Sequence, residues 1–166
     1  MIEPEEIIEQ HIVSLFAGYA LAVPVFGALQ PSSQGTEKVA PDTHISVAVD
    51  LAAQNHDWTG PNVPCDYTAS IVVHVADADD PTGALFRDVC RAVRAALSTL
   101  MGDGCAALDG DGFACDAFVF DNTVTSRESL GDFSEFTKTY TATVKGRFTP
   151  QDETDSTETE TEVTNG

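Results

Sequence analysis

The stretch VADADDPTGALF, residues 75–86, brings three carboxylates, Asp77, Asp79 and Asp80, to the junction between a β-like apolar run and a helix-like one. Two aspartates one residue apart at a strand end are what an aspartyl phosphotransferase uses as nucleophile and general acid, and Asp77 and Asp79 have that separation. The context does not follow: Pro81 stands where such a motif expects Thr or Val, and the later lysine and acidic motifs are missing. A calcium loop counted from Asp77 places Pro81 at position 5 and Thr82 at position 6, where an oxygen ligand and a glycine are required. The second acidic cluster, Asp109 and Asp111 in LDGDGF, places Phe113 at position 5 and reads as a tight turn. A helix start accounts for more of the opening letters. Asp80 is expected to accept from free backbone N–H groups, with Pro81 as the first helical residue and Asp77 and Asp79 in the preceding turn.

The other reactive side chains form no constellation. His11, His44, His56 and His74 are scattered, and Cys65, Cys90, Cys105 and Cys115 show neither CxxC pairing nor metal-ligand spacing, so buried free thiols are expected. There is no G-x-S-x-G turn and no phosphate-cradling glycine loop followed by lysine. The expectation is a non-enzyme with no catalytic residue, metal or cofactor.

Charge is more informative. The chain has 27 acidic against 8 basic residues, a formal net charge of −19, which opposes phosphate binding over any large surface. Three of the eight cations, Arg87, Arg91 and Arg94, recur at helical spacing on one face. A solvated helix face is the plain explanation; a contact with an acidic partner is the functional one.

These residues need elements to hold them. Apolar residues at Ile8, Ile12, Leu15, Phe16 and Tyr19, behind Pro4, predict a helix of about 15 residues. VPVFGAL reads as a brief edge strand, since Pro24 is poorly tolerated in a central one. A polar loop around residues 31–42 follows, then strands in HISVAVDLA and YTASIVVHVA, which alternate apolar and polar residues. Phe86, Val89, Cys90, Val93, Leu97 and Leu100 predict an amphipathic helix that ends at Gly102. GDGCAALDGDG reads as a loop, and FACDAFVF and FTKTYTATVKGRF as strands.

No regular alternation of strand and helix runs through this order, so the expected fold is α+β. It is a mainly antiparallel sheet with an N-terminal helix and one long central helix packed on one face. One domain is expected over residues 1–149. Residues 150–166 are expected to be an acidic disordered tail, since the last sixteen carry six carboxylates and no basic residue. No run is long and apolar enough to span a membrane, and the acidic N-terminus is unlike a basic signal peptide, so a cytoplasmic product is expected.

The succession PEEIIEQHIVSLFAGY, VPVFGALQP, a strand, a strand feeding DPTGALFRDVCRAVRAAL, and a closing pair ending in FTKTYTATVKGRF resembles the tail terminator and tail completion proteins of long-tailed bacteriophages. The likeness covers roughly residues 4–149 and rests on element order and length, a helix giving way to a V-[FY]-G-like turn, and a Tyr-rich terminal strand. It implies a structural virion protein at the tail–neck junction, assembled in the host cytoplasm. Its subunits would form a ring, hexameric in this resemblance, on the end of the tail tube protein. The ring would stop tube polymerisation and present a surface to the neck or connector protein, and DNA would pass its acidic lumen without sticking. Arg87, Arg91 and Arg94 are the residues expected at a subunit or partner interface. The alternatives are a head-completion or neck adaptor on the portal side, and a metal-dependent phosphotransferase using Asp77 and Asp79.

Overall fold

A computed structural model describes residues 3–19, 21, 23–27, 43–54, 60–130 and 133–149. The first helix, α1 (Pro4–Gly18), starts at its proline, whose missing N–H costs nothing there, and carries Glu5 and Glu6 in its first turn. Ile8, Ile12 and Phe16 fall at i, i+4 and i+8 and are fully buried. Tyr19 lies beyond the last helical residue and is largely exposed, so the buried stripe is shorter than its spacing predicts.

Five strands follow: β1 (Val25–Gly27), β2 (His44–Gln54), β3 (Val63–Ala76), β4 (Phe113–Leu130) and β5 (Phe133–Phe148). Between β3 and β4 lie a short 3-10 helix (Asp77–Asp79), α2 (Ala84–Ser98) and a second 3-10 helix (Gly102–Leu108), which replaces the expected glycine loop. The sheet order is β1-β2-β3-β5-β4. Odd-numbered residues of β3, from Cys65 to Val75, are buried, and Ile45 and Val47 of β2 join them on that face. Val93, Leu97 and Leu108 close the same core from above. Each fully buried Ile, Leu or Phe contributes about 1.5–3 kcal/mol, so this one face carries most of the folding free energy.

The expected fold needs correction on two points. The sheet is mixed rather than mainly antiparallel, because β1 runs parallel to β2 in the register Val25↔Ile45 to Gly27↔Val47. The helices are short, and none is one long central helix: α1 and α2 have 15 residues each, beside the 3-10 turns. The reason is connectivity. A parallel pair needs a connection of a dozen or more residues, and residues 28–43 supply it. The α2 crossover likewise makes β3 and β4 point the same way, with β5 inserted antiparallel between them. Apolar periodicity reports which face is buried; it does not report strand direction.

The start of α2 also differs from expectation in its details. The helix begins at Ala84, three residues after Pro81, because a turn closed by Gly83 in the left-handed region (φ 79°) intervenes. Asp80 nevertheless performs the predicted task from outside. Its carboxylate is buried and accepts from the Leu85 N–H at 3.1 Å and the Phe86 N–H at 2.8 Å, satisfying two of the free donors of the first turn. The tail expected over 150–166 and the polar stretch around 31–42 lie outside the described residues, as does His56.

Candidate interaction groove and open sheet edge

Helix α2 lies over β3 and is tied to β5 by the buried Tyr140 hydroxyl, which donates to the Cys90 carbonyl at 3.0 Å. Burial raises the Tyr140 hydroxyl pKa above its ordinary range. Depressions lie between α2 and the β4–β5 ribbon on either side of Tyr140. One of them, about 390 Å³, is lined by Arg94, Met101, Phe120, Asp121, Thr123 and Tyr140 among others. A second depression shares Arg94 and Tyr140 and adds Phe86, Arg87, Arg91 and Lys138. A third shares Arg87 and reaches Arg127 and Phe136.

The depressions combine arginines and a lysine with aromatic rings, and Asp77, Asp80 and Asp121 line them as well. Phe86 and Phe136 meet with ring centroids 5.7 Å apart, Arg127 lies 5.3 Å over the Phe136 ring, and Lys138 lies 5.5 Å over Tyr140. Five of the eight basic residues of the chain line these depressions: Arg87, Arg91, Arg94, Arg127 and Lys138. Arg91 pairs with Asp88 at 3.2 Å and Arg127 with Asp77 at 2.8 Å. Among the described residues no carboxylate pairs with Arg87, Arg94 or Lys138. All three arginines singled out by spacing are exposed and stand on one rim. Lys138 and Arg127 were missed by sequence reasoning. Lys138 has the same parity as Phe136 and Tyr140, so strand alternation alone places it on the helix-bearing face; Arg127 needs the β4 register.

The three opening aspartates are taken up by separate structural bonds. Asp77 accepts from Arg127 and from the Ser134 hydroxyl, which first, with Arg127 second, holds its carboxyl below the ordinary carboxylate range. Asp79 accepts from the Thr43 hydroxyl at 2.5 Å, and that hydroxyl in turn accepts from the Ala76 N–H at 3.0 Å. Asp80 caps α2. Asp77 and Asp79 thus tie the strand end to opposite neighbours, β4–β5 on one side and the entry to β2 on the other. Among the described residues no group of three or more His, Cys, Asp or Glu could hold a metal. All four cysteines are buried and free, and burial pushes the Cys115 thiol up to about 12.

The ribbon ends the sheet in a long edge. β4 pairs with β5 on one side, from Phe113↔Phe148 to Leu130↔Phe133, and has no strand on the other among the described residues. Asp116 and Asp121 are extra residues at two register shifts. Arg147 donates to both Asp116 oxygens at 3.0 and 3.1 Å, and the Thr143 hydroxyl donates to Asp121 at 2.7 Å. Val119 and Val124 are 44% and 56% exposed, well above what such side chains keep in a covered strand. On the sheet face away from the helices, His44 stacks on His74 at 4.4 Å, and His74 Nδ1 lies 3.3 Å from the buried Glu135.

No family model matches the chain, and no curated protein matches it. Among solved structures it is similar to a chain described as "Virion of native gene transfer agent (GTA) particle". The two are 19% identical, the match covers 83% of this chain and 94% of that one, and the TM-score is 0.49.

Proposed function

We propose that this chain is a ring-forming structural subunit of a phage-like virion. It caps the head-proximal end of a tail tube, stops its growth and joins it to the neck. The observation that carries the reading is the β4 edge: 18 residues without proline, unpaired on one side among the described residues, beside depressions that gather five of the chain's eight cations. An edge of that length is a template for another chain, and monomeric proteins keep such edges short or covered. Edge and groove are different surfaces, so a contact joining them to a neighbour's other flank is head-to-tail, and such contacts close into rings when the rotation permits. Arg87, Arg91 and Arg94 meet an acidic surface of a neighbouring subunit or ring, and charge complementarity sets register and partner choice. The net charge of −19 suits a wall past which DNA slides, since a negative surface gains nothing from phosphate. The element order supports the same reading through its resemblance to tail terminators.

Negative-stain imaging of the purified protein, alone and with tail tubes, is the test. Rings with a central hole, seated on tube ends, are expected. A protein that stays monomeric at high concentration and ignores tubes would overturn the proposal.

A further inference from the structure

The face of the sheet turned away from the helices holds a line of polar side chains that have no part in the proposed assembly. We infer that Ser46, His74 and Glu135 form a nucleophilic relay there, with Ser46 as the group that takes an activated acyl or phosphoryl unit and His74 as its base. Register brings them together from distant parts of the chain. His44 stands opposite His74, which places Ser46, two residues on, on the same face; His74 stands opposite Thr137, which places Glu135 there too. The His74 ring bridges its two neighbouring strands: Nε2 lies 3.5 Å from Ser46 Oγ on β2, and Nδ1 lies 3.3 Å from Glu135 Oε1 on β5.

Chemistry assigns the protons. An ionised carboxylate only accepts, so Nδ1 carries the ring hydrogen, Nε2 keeps its lone pair, and the Ser46 hydroxyl donates to it. Glu135 is 5% exposed and its carboxylate lies against His74, so it fixes the ring and favours the imidazolium that forms when the serine proton arrives. His44 lies face to face on the same ring, with centroids 4.4 Å apart and an interplanar angle of 11°, and covers one side of it. Ser46 and His74 both keep part of their surface in solvent, so a reactant can reach the hydroxyl. Hydroxyl, lone pair and buried carboxylate in that succession are what an activated nucleophile requires, and such bonds are commonly long before a reactant is bound.

In the transfer, Ser46 Oγ attacks the acyl carbon or the phosphorus and its proton passes to His74 Nε2. The new Oγ bond forms, the bond to the leaving group breaks, and the leaving group departs as an anion or takes the proton from His74. β2 is paired on both sides at this point, in the registers Phe26↔Ser46 and Ser46↔Val72, so its backbone around Ser46 serves the ladders rather than an oxyanion. The relay thus suits one transfer onto Ser46 from a small, activated donor, and not rapid turnover. It lies within one chain and holds whether or not subunits form a ring.

A fluorophosphonate tests the relay in the full chain, since serine attack expels fluoride and leaves a stable adduct that mass spectrometry assigns to a residue. Ser70 is the matched control: it lies on the same face of β3, opposite Ala48 and Thr141 rather than a histidine. Ser46 should be labelled about 10²–10⁴ times faster than Ser70. Its rate should level off with rising pH, as a base that has finished losing its proton requires, rather than climb about tenfold per unit as direct ionisation of a hydroxyl does. His74→Gln keeps a donor and an acceptor, and so preserves a merely structural contact; it should remove the advantage of Ser46 while far-UV circular dichroism stays unchanged. Glu135→Gln should slow labelling at least about tenfold, because an amide can donate to Nδ1 and turn the lone pair away from Ser46. If a variant does not fold, the Ser46-to-Ser70 ratio and the pH profile of the unmodified chain decide alone. Three results would overturn the inference: labelling of Ser46 no faster than Ser70, a rate that climbs without levelling, or an unchanged rate in folded His74→Gln.

Discussion

The two edges of the sheet are built to opposite ends. At one edge β1 has three residues, enters from Pro24 and packs under α1, where the side chain of Glu9 stands so close that a Cβ on Gly27 would come within 2.4 Å of its Oε1. At the other, β4 runs 18 residues with nothing beside it among the described residues, and depressions lie between its ribbon and α2. The first edge is short, and among the described residues it is packed against α1. The second keeps its backbone groups and its cations available. If the open edge is the assembly surface proposed above, substitutions on the two flanks should separate stability from association.

The largest effect is expected on the packed flank. Ile12→Ala removes a fully buried side chain between α1 and the sheet and should cost about 2–5 kcal/mol in denaturant unfolding. At the start of α2, Asp80→Ala strands two first-turn donors and should cost about 1–2 kcal/mol by the same measurement, with helix content otherwise kept. On the open flank, Val119→Lys with Val124→Lys should shift stability by no more than about 0.5 kcal/mol per site while preventing self-association in light scattering. A loss of folding there would erase the contrast between the flanks. Breaking the exposed pair with Asp88→Ala should cost least, about 0–0.5 kcal/mol.

A pH series sharpens the comparison at the base of the ribbon. Asp77 has a lowered folded-state pKa, so its bonds to Ser134 and Arg127 stabilise the protein above the ordinary carboxylate pKa, and that stability is lost as pH falls through the lowered value. The stability gap between the wild type and Asp77→Asn should therefore be full at neutral pH and shrink below about pH 4. Thiol alkylation reports on the core without mutation: all four cysteines are buried, so they should react at neutral pH only as fast as the protein opens.

Much of this was readable from the residues. The stripe Ile8, Ile12, Phe16 gave α1, and alternation in YTASIVVHVA gave β3 with its buried face; in FTKTYTATVKGRF it gave the buried Tyr140, Ala142 and Val144 of β5, while Thr137 on the other side is buried too and Phe136 is only half-buried. What failed did so for physical reasons. Direction of pairing leaves no mark in period-2 alternation, so the parallel β1–β2 pair was invisible. The extent of β4 was hidden by its register shifts. Phe113 and Cys115 are buried, the extra residue Asp116 flips the parity so that Phe118 comes next, and Asp121 flips it again, so no single alternating pattern runs through the strand. The rim arginines were found because helical spacing is regular, but the depressions they border were not, since these form only in the space between α2 and the ribbon.

Asp116 and Asp121 carry a further consequence. Each puts a kink and a carboxylate into a strand that would otherwise be a flat polar edge, the kind that stacks with copies of itself into fibrils. Because Arg147 and Thr143 of β5 hold these carboxylates in place, the bends are fixed and a straight, unrelated strand cannot lie along the whole edge. The two aspartates are thus placed as gatekeepers would be, breaking the straight run of an 18-residue strand that is unpaired on one side among the described residues.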